Sequence, residues 1–187
     1  MKNLFDAIEK LLFKKSNPVI AIDGPCASGK TTLAFLLHEK YGFQVIHTDS
    51  FFLPPEMRDN KRLTQPGGNI HYERLNDEVV NGIASGSKFV YGIYSCQTGT
   101  LSESLPVFPE KPIVIEGSYA LHPKIELSYD FKIFVEAEYN TRLSRILQRN
   151  GAESLEVFKT KWIPLENLYF KEFDIKSKCD ITVKTDR

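Results

Sequence analysis

The sequence predicts an α/β fold in which a parallel sheet of five strands lies between two layers of helices. Short apolar runs that are typical of buried strands alternate along the chain with segments whose apolar residues recur at helical spacing. The chain has 187 residues, with neither an internal repeat nor a linker between domains. This length suits one domain with a substantial core, and we assign residues 1–187 to it.

The first half of the chain is predicted to supply three helices and two strands. Helices are expected over residues 3–14, from about 30 to 41 with Gly42 as the C-terminal cap, and over 72–84. Strands are expected over 19–22 and 44–48. Residues 54–70 contain two consecutive prolines, several charges and two consecutive glycines, and this composition predicts a mobile loop.

The second half is predicted to add a hairpin, the remaining strands and a helical lid. The segments 89–94 and 105–108 flank a turn-rich stretch and predict a small hairpin insertion rather than core strands. Strands are expected over 113–115, 131–135 and 180–183, with an irregular segment or a single helical turn over 121–127. A helix over 141–149 is expected to end at Asn150 and Gly151, and apolar residues at helical spacing follow on either side of Pro164. The predicted lid covers approximately residues 142–164.

The most informative stretch is Gly24-Pro25-Cys26-Ala27-Ser28-Gly29-Lys30-Thr31, which has the spacing G-x-x-x-x-G-K-[ST] between a predicted strand and a predicted helix. In such a loop, consecutive backbone N–H groups and the positive end of the following helix together bind phosphate. Lys30 is expected to contact the β- and γ-phosphates, and the Thr31 hydroxyl to bind Mg²⁺. The simpler alternative is a glycine-containing turn. The spacing predicts a site for ATP and Mg²⁺ in which the nucleotide contacts residues from Gly24 to Thr32.

Acidic residues follow two of the predicted strands at their carboxyl ends, where open parallel sheets collect their ligands. Asp49 follows the second strand and is the candidate base that takes the proton of an acceptor hydroxyl. Glu116 follows the strand over 113–115 and is the candidate group that orients Mg²⁺. The alternatives are a turn or N-cap aspartate and a strand-end carboxylate without a metal. His47 is expected to be packed rather than catalytic.

Three arginines are predicted to share one face of a helix. Arg142, Arg145 and Arg149 are spaced at i, i+3 and i+7. Beside a glycine break, such a face suits a lid that closes over the triphosphate and stabilises the transferring charge. The alternative is a solvated helix face. We assign the catalytic lid role to Arg145 and Arg149, and leave open whether Arg142, Lys159 and Lys161 take part.

Four segments occur in order along the chain: IAIDGPCASGKTTLA, VIHTDSFFLP, IVIEGSYAL and TRLSRILQRN. Together they resemble the uridine kinase-like branch of the P-loop kinases, which also includes phosphoribulokinase, pantothenate kinase and nicotinamide riboside kinase. The resemblance implies a three-layer P-loop NTPase fold with a hairpin insertion and a helical lid. It also implies that Asp49 activates the acceptor hydroxyl, that Thr31 and Glu116 serve Mg²⁺, and that Arg145 and Arg149 are lid arginines.

The predicted hairpin departs from the pattern of true uridine kinases, which carry a Tyr-Asp pair followed by a histidine. In the stretch YGIYSCQTGTL, Tyr94 matches the tyrosine, but Ser95 stands in place of the aspartate and no histidine follows. The resemblance therefore implies kinase chemistry and leaves the acceptor open. The residues predicted to contact the acceptor are Asp49, Phe51, Tyr72, Arg74, Tyr91, Tyr94 and Glu116.

Two functions compete for this sequence. The first is an ATP-dependent kinase that phosphorylates a hydroxyl of a nucleoside or a related metabolite. The second is a regulatory switch that binds or hydrolyses a nucleoside triphosphate and has no small-molecule acceptor. A switch needs neither a base after the second strand nor a pocket-forming hairpin, so these two features favour the kinase.

The amino-acid composition limits the classes of partner that the protein is expected to bind. Lys plus Arg and Asp plus Glu are both 24, so no net charge attracts nucleic acid or an anionic membrane. None of the three cysteines belongs to a C-x-x-C pair, and no apolar run reaches the ~18 residues of a membrane span. The start of the chain carries acidic residues and does not resemble a signal peptide. We therefore predict a cytoplasmic protein with a small-molecule acceptor, no nucleic-acid or membrane partner, and a composition compatible with a homo-oligomer.

Overall fold

The computed structural model describes residues 1–96 and 98–186 and contains the predicted sheet. The strands in these residues are β1 (Val19–Asp23), β2 (Gln44–His47), β3 (Gly92–Ser95), β4 (Thr100–Glu103), β5 (Ile113–Glu116), β6 (Phe131–Glu136) and β7 (Ile181–Lys184). Five of them form one parallel sheet in the order β2-β5-β1-β6-β7, and β3 pairs with β4 as a separate antiparallel hairpin. The predicted α/β fold with a five-stranded parallel sheet is confirmed.

Helices cover both faces of the sheet. They are α1 (Lys2–Lys14), α2 (Lys30–Tyr41), α3 (Asn60–Leu63), α4 (Tyr72–Leu75), α5 (Asn81–Ala84), α6 (Tyr139–Val157) and α7 (Ile163–Phe173). A π-helical segment, Asn76–Val80, joins α4 to α5, so the helix predicted over 72–84 is continuous. Within the described residues, none of the helices combines the length and the apolar character that crossing a membrane requires.

The core lies in two layers because neighbouring residues of a strand point to opposite faces of the sheet. In β5, Ile113 and Ile115 pack into the cluster that includes Leu75 of α4, whereas Val114 packs into the cluster on the α1 and α2 side. The central strand β1 is buried along its whole length, as expected for a parallel strand covered on both faces. The rigid sheet holds the carboxyl ends of β1, β2 and β5 side by side.

The segment over residues 54–70, predicted as a mobile loop, contains helical structure and is tied to its surroundings. A 3₁₀ turn, Pro55–Met57, and helix α3 occupy much of it. The guanidinium of Arg62 donates to the carbonyl oxygens of Gly68 (3.0 Å) and Ile70 (3.0 Å) and to the carboxylate of Glu73 (2.7 Å). These bonds fold the segment back on itself, a contact that composition does not reveal.

The helix predicted over 141–149 does not end at Asn150 and Gly151 but is only locally kinked there. Gly151 has non-helical backbone angles (φ 83°, ψ 173°), but α6 resumes beyond this kink. A π-helical segment, Phe158–Trp162, then leads directly into α7. Pro164 lies near the start of α7, directly after the π-helical segment, so the helical structure continues past it.

The predicted hairpin is present, but its pairing differs from the prediction. The segment 105–108 contributes only an isolated bridge between Phe89 and Val107, and the strand that pairs with β3 is β4. The residues of β4 are exposed and mostly polar, so they lack the apolar pattern by which a strand is found in a sequence.

His122 is a buried, neutral histidine in the segment that follows β5. Its ring stacks on Tyr72 with 5.0 Å between centroids and on Tyr169 with 5.9 Å. Its Nδ1 accepts a hydrogen bond from the backbone N–H of Lys124 (3.1 Å), and its Nε2 lies 3.1 Å from the carbonyl oxygen of Pro66 and donates to it. Burial lowers the pKa of His122 from 6.5 to about 4.

We expect His122 to make the protein less stable in acid. The unfolded chain binds a proton at this histidine near pH 6.5 and the folded chain only near pH 4, so the free energy of unfolding falls as the pH decreases between these values. The loss attributable to His122 is about 3 kcal/mol. Urea unfolding of wild type and His122→Phe at pH 7 and pH 4.5 measures it. The variant should be less stable at pH 7 but lose less on acidification. His38→Asn, at a histidine whose side chain is 53% exposed, is the control and should follow the wild type.

Candidate active site

The phosphate loop connects β1 to α2 in a curl that requires glycine. Gly24 has φ +145°, and a Cβ atom there would lie 2.0 Å from the carbonyl oxygen of Val135. Gly29 has φ +96° and caps the N-terminus of α2, and Ala27 also has a positive φ of 56°. A curl of this kind, ending at a helix N-terminus, presents backbone N–H groups to an anion. The loop therefore has the geometry that binds phosphate.

Lys30 lies over this loop and is almost completely buried. Its ammonium group donates to the carbonyl oxygens of Gly24 (2.8 Å) and Pro25 (2.9 Å) and lies 3.4 Å from the hydroxyl oxygen of Ser118. The charge is thus held within the curl of the loop, beside the residue that follows Gly117 at the end of β5.

Thr31, Glu116 and His47 form a second polar group at the edge of the cleft. Strand pairing sets His47 of β2 opposite Glu116 of β5. The carboxylate oxygen Oε1 of Glu116 accepts from the Thr31 hydroxyl (3.1 Å) and lies 2.5 Å from Nδ1 of His47. This hydrogen bond to Glu116 raises the pKa of His47. Thr31 and Glu116, predicted together from their positions, are therefore in direct contact. His47, expected to be packed, orients Glu116 instead.

Asp49 lies in a 3₁₀ turn, Thr48–Phe51, directly after β2. No side chain caps this turn in the described part of the chain, which argues against the alternative role of Asp49 as a helix cap. Solvent reaches Asp49 through the cleft. Protein atoms nevertheless surround its carboxyl group, and this burial raises its pKa, with the charge of Lys30 acting in the opposite direction.

A cleft of about 1090 Å³ joins the phosphate loop to Asp49. Beside the phosphate loop it is lined by Lys30, Thr31, Thr32, Glu116, Ser118, Arg145, Arg149 and Glu166, and its lining also includes Asp49, Phe52, Arg58, Asn69 and Tyr119. This volume leaves room beside the phosphate loop for a second small molecule.

Comparison with known proteins agrees with this geometry. The model of the Phosphoribulokinase / Uridine kinase family matches residues 19–154, which is well over half of the chain. The chain belongs to this family. Its P-loop kinase fold and its nucleotide-binding character, both predicted from the sequence, are thereby confirmed.

Individual members of the family and other kinases resemble the chain at low identity. Over 165 residues it is 29% identical to a cytidylate kinase from Thermotoga maritima, covering 75% of this chain and 73% of that one. It is 28% identical to uridine kinase-like protein 5 from Arabidopsis thaliana over 144 residues, covering 72% of this chain and 31% of that one. A solved structure described as a possible uridine kinase from Bacillus stearothermophilus has a TM-score of 0.68 at 19% identity, covering 97% of this chain and 100% of that one.

The three arginines predicted for the lid differ in what they contact, and two of them reach the phosphate loop. Arg142 is buried, with Nη1 3.5 Å from the carbonyl oxygen of Cys26. Arg145 donates to the carbonyl oxygen of Ala27 (3.1 Å) and to the hydroxyl of Thr185 (3.1 Å). Arg149 is exposed and bonded to its neighbour Asn150.

The two lysines whose part in the lid the sequence leaves open do not join these arginines. Lys159 pairs with Glu156 at 2.9 Å, and the ammonium of Lys161 lies 4.7 Å from the ring centroid of Trp162. Neither lysine is among the described residues that line the cleft. The structure therefore brings Arg142, rather than a lysine, to the phosphate loop beside Arg145.

Glu166 is a buried residue of the site that sequence reasoning missed. It lies on α7, and its Oε2 accepts from the backbone N–H of Cys26 in the phosphate loop (2.9 Å). Its Oε1 accepts from the hydroxyl of Ser118 (2.7 Å). A carboxylate of the chain itself is thus bound where the loop presents an N–H group.

Asp23 is a second missed residue, at the end of β1. It is fully buried, and it accepts from the backbone N–H groups of Gly24 (2.6 Å) and Leu121 (2.9 Å) and from the hydroxyl of Tyr169 (2.7 Å). Burial raises the pKa of Asp23 to about 6, although these hydrogen bonds oppose the shift. Asp23 thus links the phosphate loop to the segment after β5 and to α7. Its position directly before Gly24 was the only signal in the sequence.

Several residues that were predicted to contact the acceptor lie elsewhere. Phe51 is fully buried and stacks on Tyr91, with 5.5 Å between ring centroids. Arg74 is held by the carbonyl oxygen of Gly92 (2.7 Å) and by Glu78 (3.1 Å). Among the described residues, the lining of the cleft does not include Phe51, Tyr72, Arg74, Tyr91 or Tyr94. Phe51 and Arg74 instead contact Tyr91 and Gly92 of the hairpin segment, and Tyr72 stacks on His122, so acceptor contacts of these five residues stay a prediction that the cleft lining does not support.

Proposed function

We propose that the protein transfers the γ-phosphoryl group of ATP to a hydroxyl group of a small molecule, a nucleoside or a related metabolite. The observation that carries this proposal is the position of Asp49 in the same cleft as the phosphate loop and the Thr31–Glu116 pair. Phosphoryl transfer requires a bound triphosphate, charge neutralisation and a group that orients the attacking hydroxyl. Each of these tasks has a residue in the cleft.

The residues present fit Mg²⁺ as well as ATP. Thr31 and Glu116 bring two oxygen atoms within 3.1 Å of each other, and Mg²⁺ prefers oxygen ligands. The described residues contain no cluster of three acidic, histidine or cysteine side chains that could hold a metal by themselves. This agrees with an ion that is bound largely through nucleotide phosphates and water. When bound, Mg²⁺ neutralises charge that develops on the phosphates.

Asp49 is suited to accept the proton of the acceptor. Desolvation of its carboxyl group raises its pKa, and a higher pKa makes a carboxylate a stronger base. Lys30, whose ammonium lies in the loop, neutralises charge on the β- and γ-phosphates. Asp49 would thus activate the acceptor hydroxyl, and Lys30 would balance the charge of the phosphates.

A second candidate follows from the relatives named cytidylate kinase, in which the acceptor is the phosphate group of a nucleoside monophosphate. Such an acceptor is fully charged and needs no base. The carboxylate of Asp49 would repel it where it approaches the γ-phosphate, so the site favours a hydroxyl. A regulatory switch is disfavoured for a different reason, because it does not need a cleft that holds a second small molecule beside the phosphate loop.

Acceptor-stimulated ADP release tests the proposal. The protein with ATP and Mg²⁺ is assayed alone and with a panel of nucleosides, polyols, hydroxy acids and nucleoside monophosphates. Stimulation by a compound whose hydroxyl becomes phosphorylated supports the proposal. Phosphorylation of a monophosphate on its phosphate group supports the second candidate. ATP binding without stimulation by any compound indicates the switch.

Alanine variants of the two predicted lid arginines are expected to differ in their effects on catalysis and on stability. Arg149→Ala should lower kcat roughly 10²-fold, with little change in KM for ATP and no change in Tm, because this exposed guanidinium has no structural contact beyond Asn150 among the described residues. Arg145→Ala should also lower Tm, since it removes charged hydrogen bonds to Ala27 and Thr185 that are worth about 1.5–3 kcal/mol.

Steady-state kinetics and thermal unfolding of the two variants measure these effects. Lys171→Ala, an exposed position on α7, is the control for loss of a positive charge and should leave both quantities unchanged. Full turnover of Arg149→Ala would assign Arg149 to the solvated face of the helix.

A further inference from the structure

His47 lies beside the candidate Mg²⁺ site, but the proposed reaction gives it no task. It is the last residue of β2, an edge strand of the sheet, and the strand register sets it opposite Glu116 of β5. We propose that His47 is a positioning residue for Mg²⁺, because it holds Glu116, and through Glu116 the Thr31 hydroxyl, in the orientation that binds the ion. This inference rests on the proposed use of ATP and Mg²⁺ and does not depend on the acceptor.

The carboxylate of Glu116 is held at one of its two oxygens. Oε1 accepts from Nδ1 of His47 (2.5 Å) and from the Thr31 hydroxyl (3.1 Å). Among the described residues, Oε2 accepts no side-chain hydrogen bond, and it is not one of the enclosed polar atoms that lack a partner. Glu116 is only 4% exposed, and it lines the cleft. The unbonded oxygen Oε2 therefore stays accessible, as a group that orients Mg²⁺ or its bound water requires.

The direction of the Thr31 hydroxyl depends on the same carboxylate. A hydroxyl binds a cation through the lone pairs of its oxygen, so its hydrogen must point away from the ion. Thr31 donates that hydrogen to Oε1 of Glu116, which leaves its lone pairs for Mg²⁺. This arrangement lasts only while Oε1 keeps its place, and His47 donates to the same atom. One hydrogen bond from His47 thus orients both oxygen-bearing groups.

The imidazole of His47 is bonded through a single nitrogen. Nδ1 makes the bond to Glu116, and Nε2 makes none within the described part of the chain. The side chain is half-exposed at the edge of the sheet, so it contributes little to the core. Hydrogen bonds to the groups that hold a metal typically change metal affinity 10–100-fold. We therefore expect the loss of His47 to affect Mg²⁺ binding more than the fold.

Binding of a non-hydrolysable ATP analogue to the full chain, with saturating Mg²⁺ and in EDTA, tests the inference. The ratio of the two affinities, measured by calorimetry, is the Mg²⁺ gain. We expect His47→Leu to reduce the Mg²⁺ gain roughly 10–100-fold and to leave the affinity in EDTA nearly unchanged. His47→Asn should retain most of the gain, because its amide N–H group occupies the place of Nδ1. His47→Gln, whose amide lies one bond further along the side chain, should behave like His47→Leu.

A double-mutant cycle with Glu116→Gln separates positioning from a general structural effect. Because His47 acts through Glu116, His47→Leu should have no further effect on the Mg²⁺ gain when Glu116 is already replaced. His38→Leu is the matched control and should leave the gain unchanged. His38 is also a half-exposed histidine bonded through Nδ1, to the carbonyl oxygen of Phe43 (2.8 Å), and it is not among the described residues that line the cleft. Thermal unfolding shows whether each variant is folded.

An equal Mg²⁺ gain in wild type and His47→Leu, or equal losses in His47→Leu and His47→Asn, overturns the inference. A loss that persists in the Glu116→Gln background overturns it as well. If His47→Leu does not fold, the comparison of His47→Asn with His47→Gln decides, because both replacements are polar amides. The kinase function survives these results if an acceptor still stimulates ADP release. Conversely, an Mg²⁺ gain that depends on His47, without transfer to any acceptor, supports the inference and overturns the proposed function.

Discussion

Replacing Lys30 by alanine is expected to lower the rate of phosphoryl transfer by roughly 10²–10³-fold, the usual effect of removing one preorganised electrostatic stabiliser. The ammonium of Lys30 lies inside the phosphate loop, bonded to the carbonyl oxygens of Gly24 and Pro25. A triphosphate bound to the loop would place its β- and γ-phosphates beside this charge. Without it, charge that develops during transfer is left unbalanced in a site with little water.

Acceptor-stimulated ADP release and circular dichroism of Lys30→Ala measure the effect on turnover and on the fold. Lys30→Met is the second variant, since it retains the apolar stem that packs over the loop and so protects the loop conformation. Lys40→Ala removes a half-exposed lysine at the other end of α2 and should retain full activity. Near-normal turnover of both Lys30 variants would exclude the assignment of this loop as the triphosphate site.

Asp49→Asn is expected to leave ATP binding nearly intact and to reduce acceptor-dependent transfer by roughly 10²–10⁴-fold, the usual contribution of a positioned base. The substitution preserves the size of the side chain but removes the charge that accepts the proton. Because burial raises the pKa of Asp49, kcat/KM of the wild type should fall on the acidic side as the carboxylate is protonated. That acidic limb should be absent from the profile of the variant.

Calorimetry with ATP and turnover as a function of pH provide the two measurements. Asp77→Asn, at an exposed position of the helix over 72–84, is the matched control. A variant at position 49 that transfers phosphate as well as wild type would contradict a hydroxyl acceptor. Increased activity of the same variant towards a nucleoside monophosphate would favour the phosphate acceptor.

The parts of the site that could be predicted are those that neighbouring residues define. The phosphate loop is specified by eight consecutive residues, and its curl depends on Gly24 and Gly29, which the motif contains. Asp49 and Glu116 could be assigned because parallel strands end at one edge of the sheet, so a position after a strand is also a position in space.

The remaining residues of the site depend on contacts between distant parts of the chain. Glu166 contacts Cys26, which lies 140 positions earlier in the sequence, and no spacing in the sequence predicts such a contact. The sequence analysis assigns acceptor binding in part to aromatic residues of the hairpin, but Tyr91 packs on Phe51 in the core. Burial favours aromatic side chains as strongly as ligand binding does, so composition alone could not separate these roles. Arg58 and Asn69 lie in a segment that composition assigned to a loop.

The carboxylate of Glu166 has a consequence for nucleotide affinity. The backbone N–H of Cys26 is bound to it, so any phosphate oxygen that takes this N–H competes with a group of the chain itself. The measured affinity for a nucleotide then contains the free energy of releasing Glu166 from the loop. Because Glu166 belongs to α7, that release is thermodynamically linked to the docking of α7 on the phosphate loop. We therefore expect conditions that stabilise the docked α7 to weaken the binding of a nucleotide that takes this N–H, and such a nucleotide to loosen α7 by the same free energy.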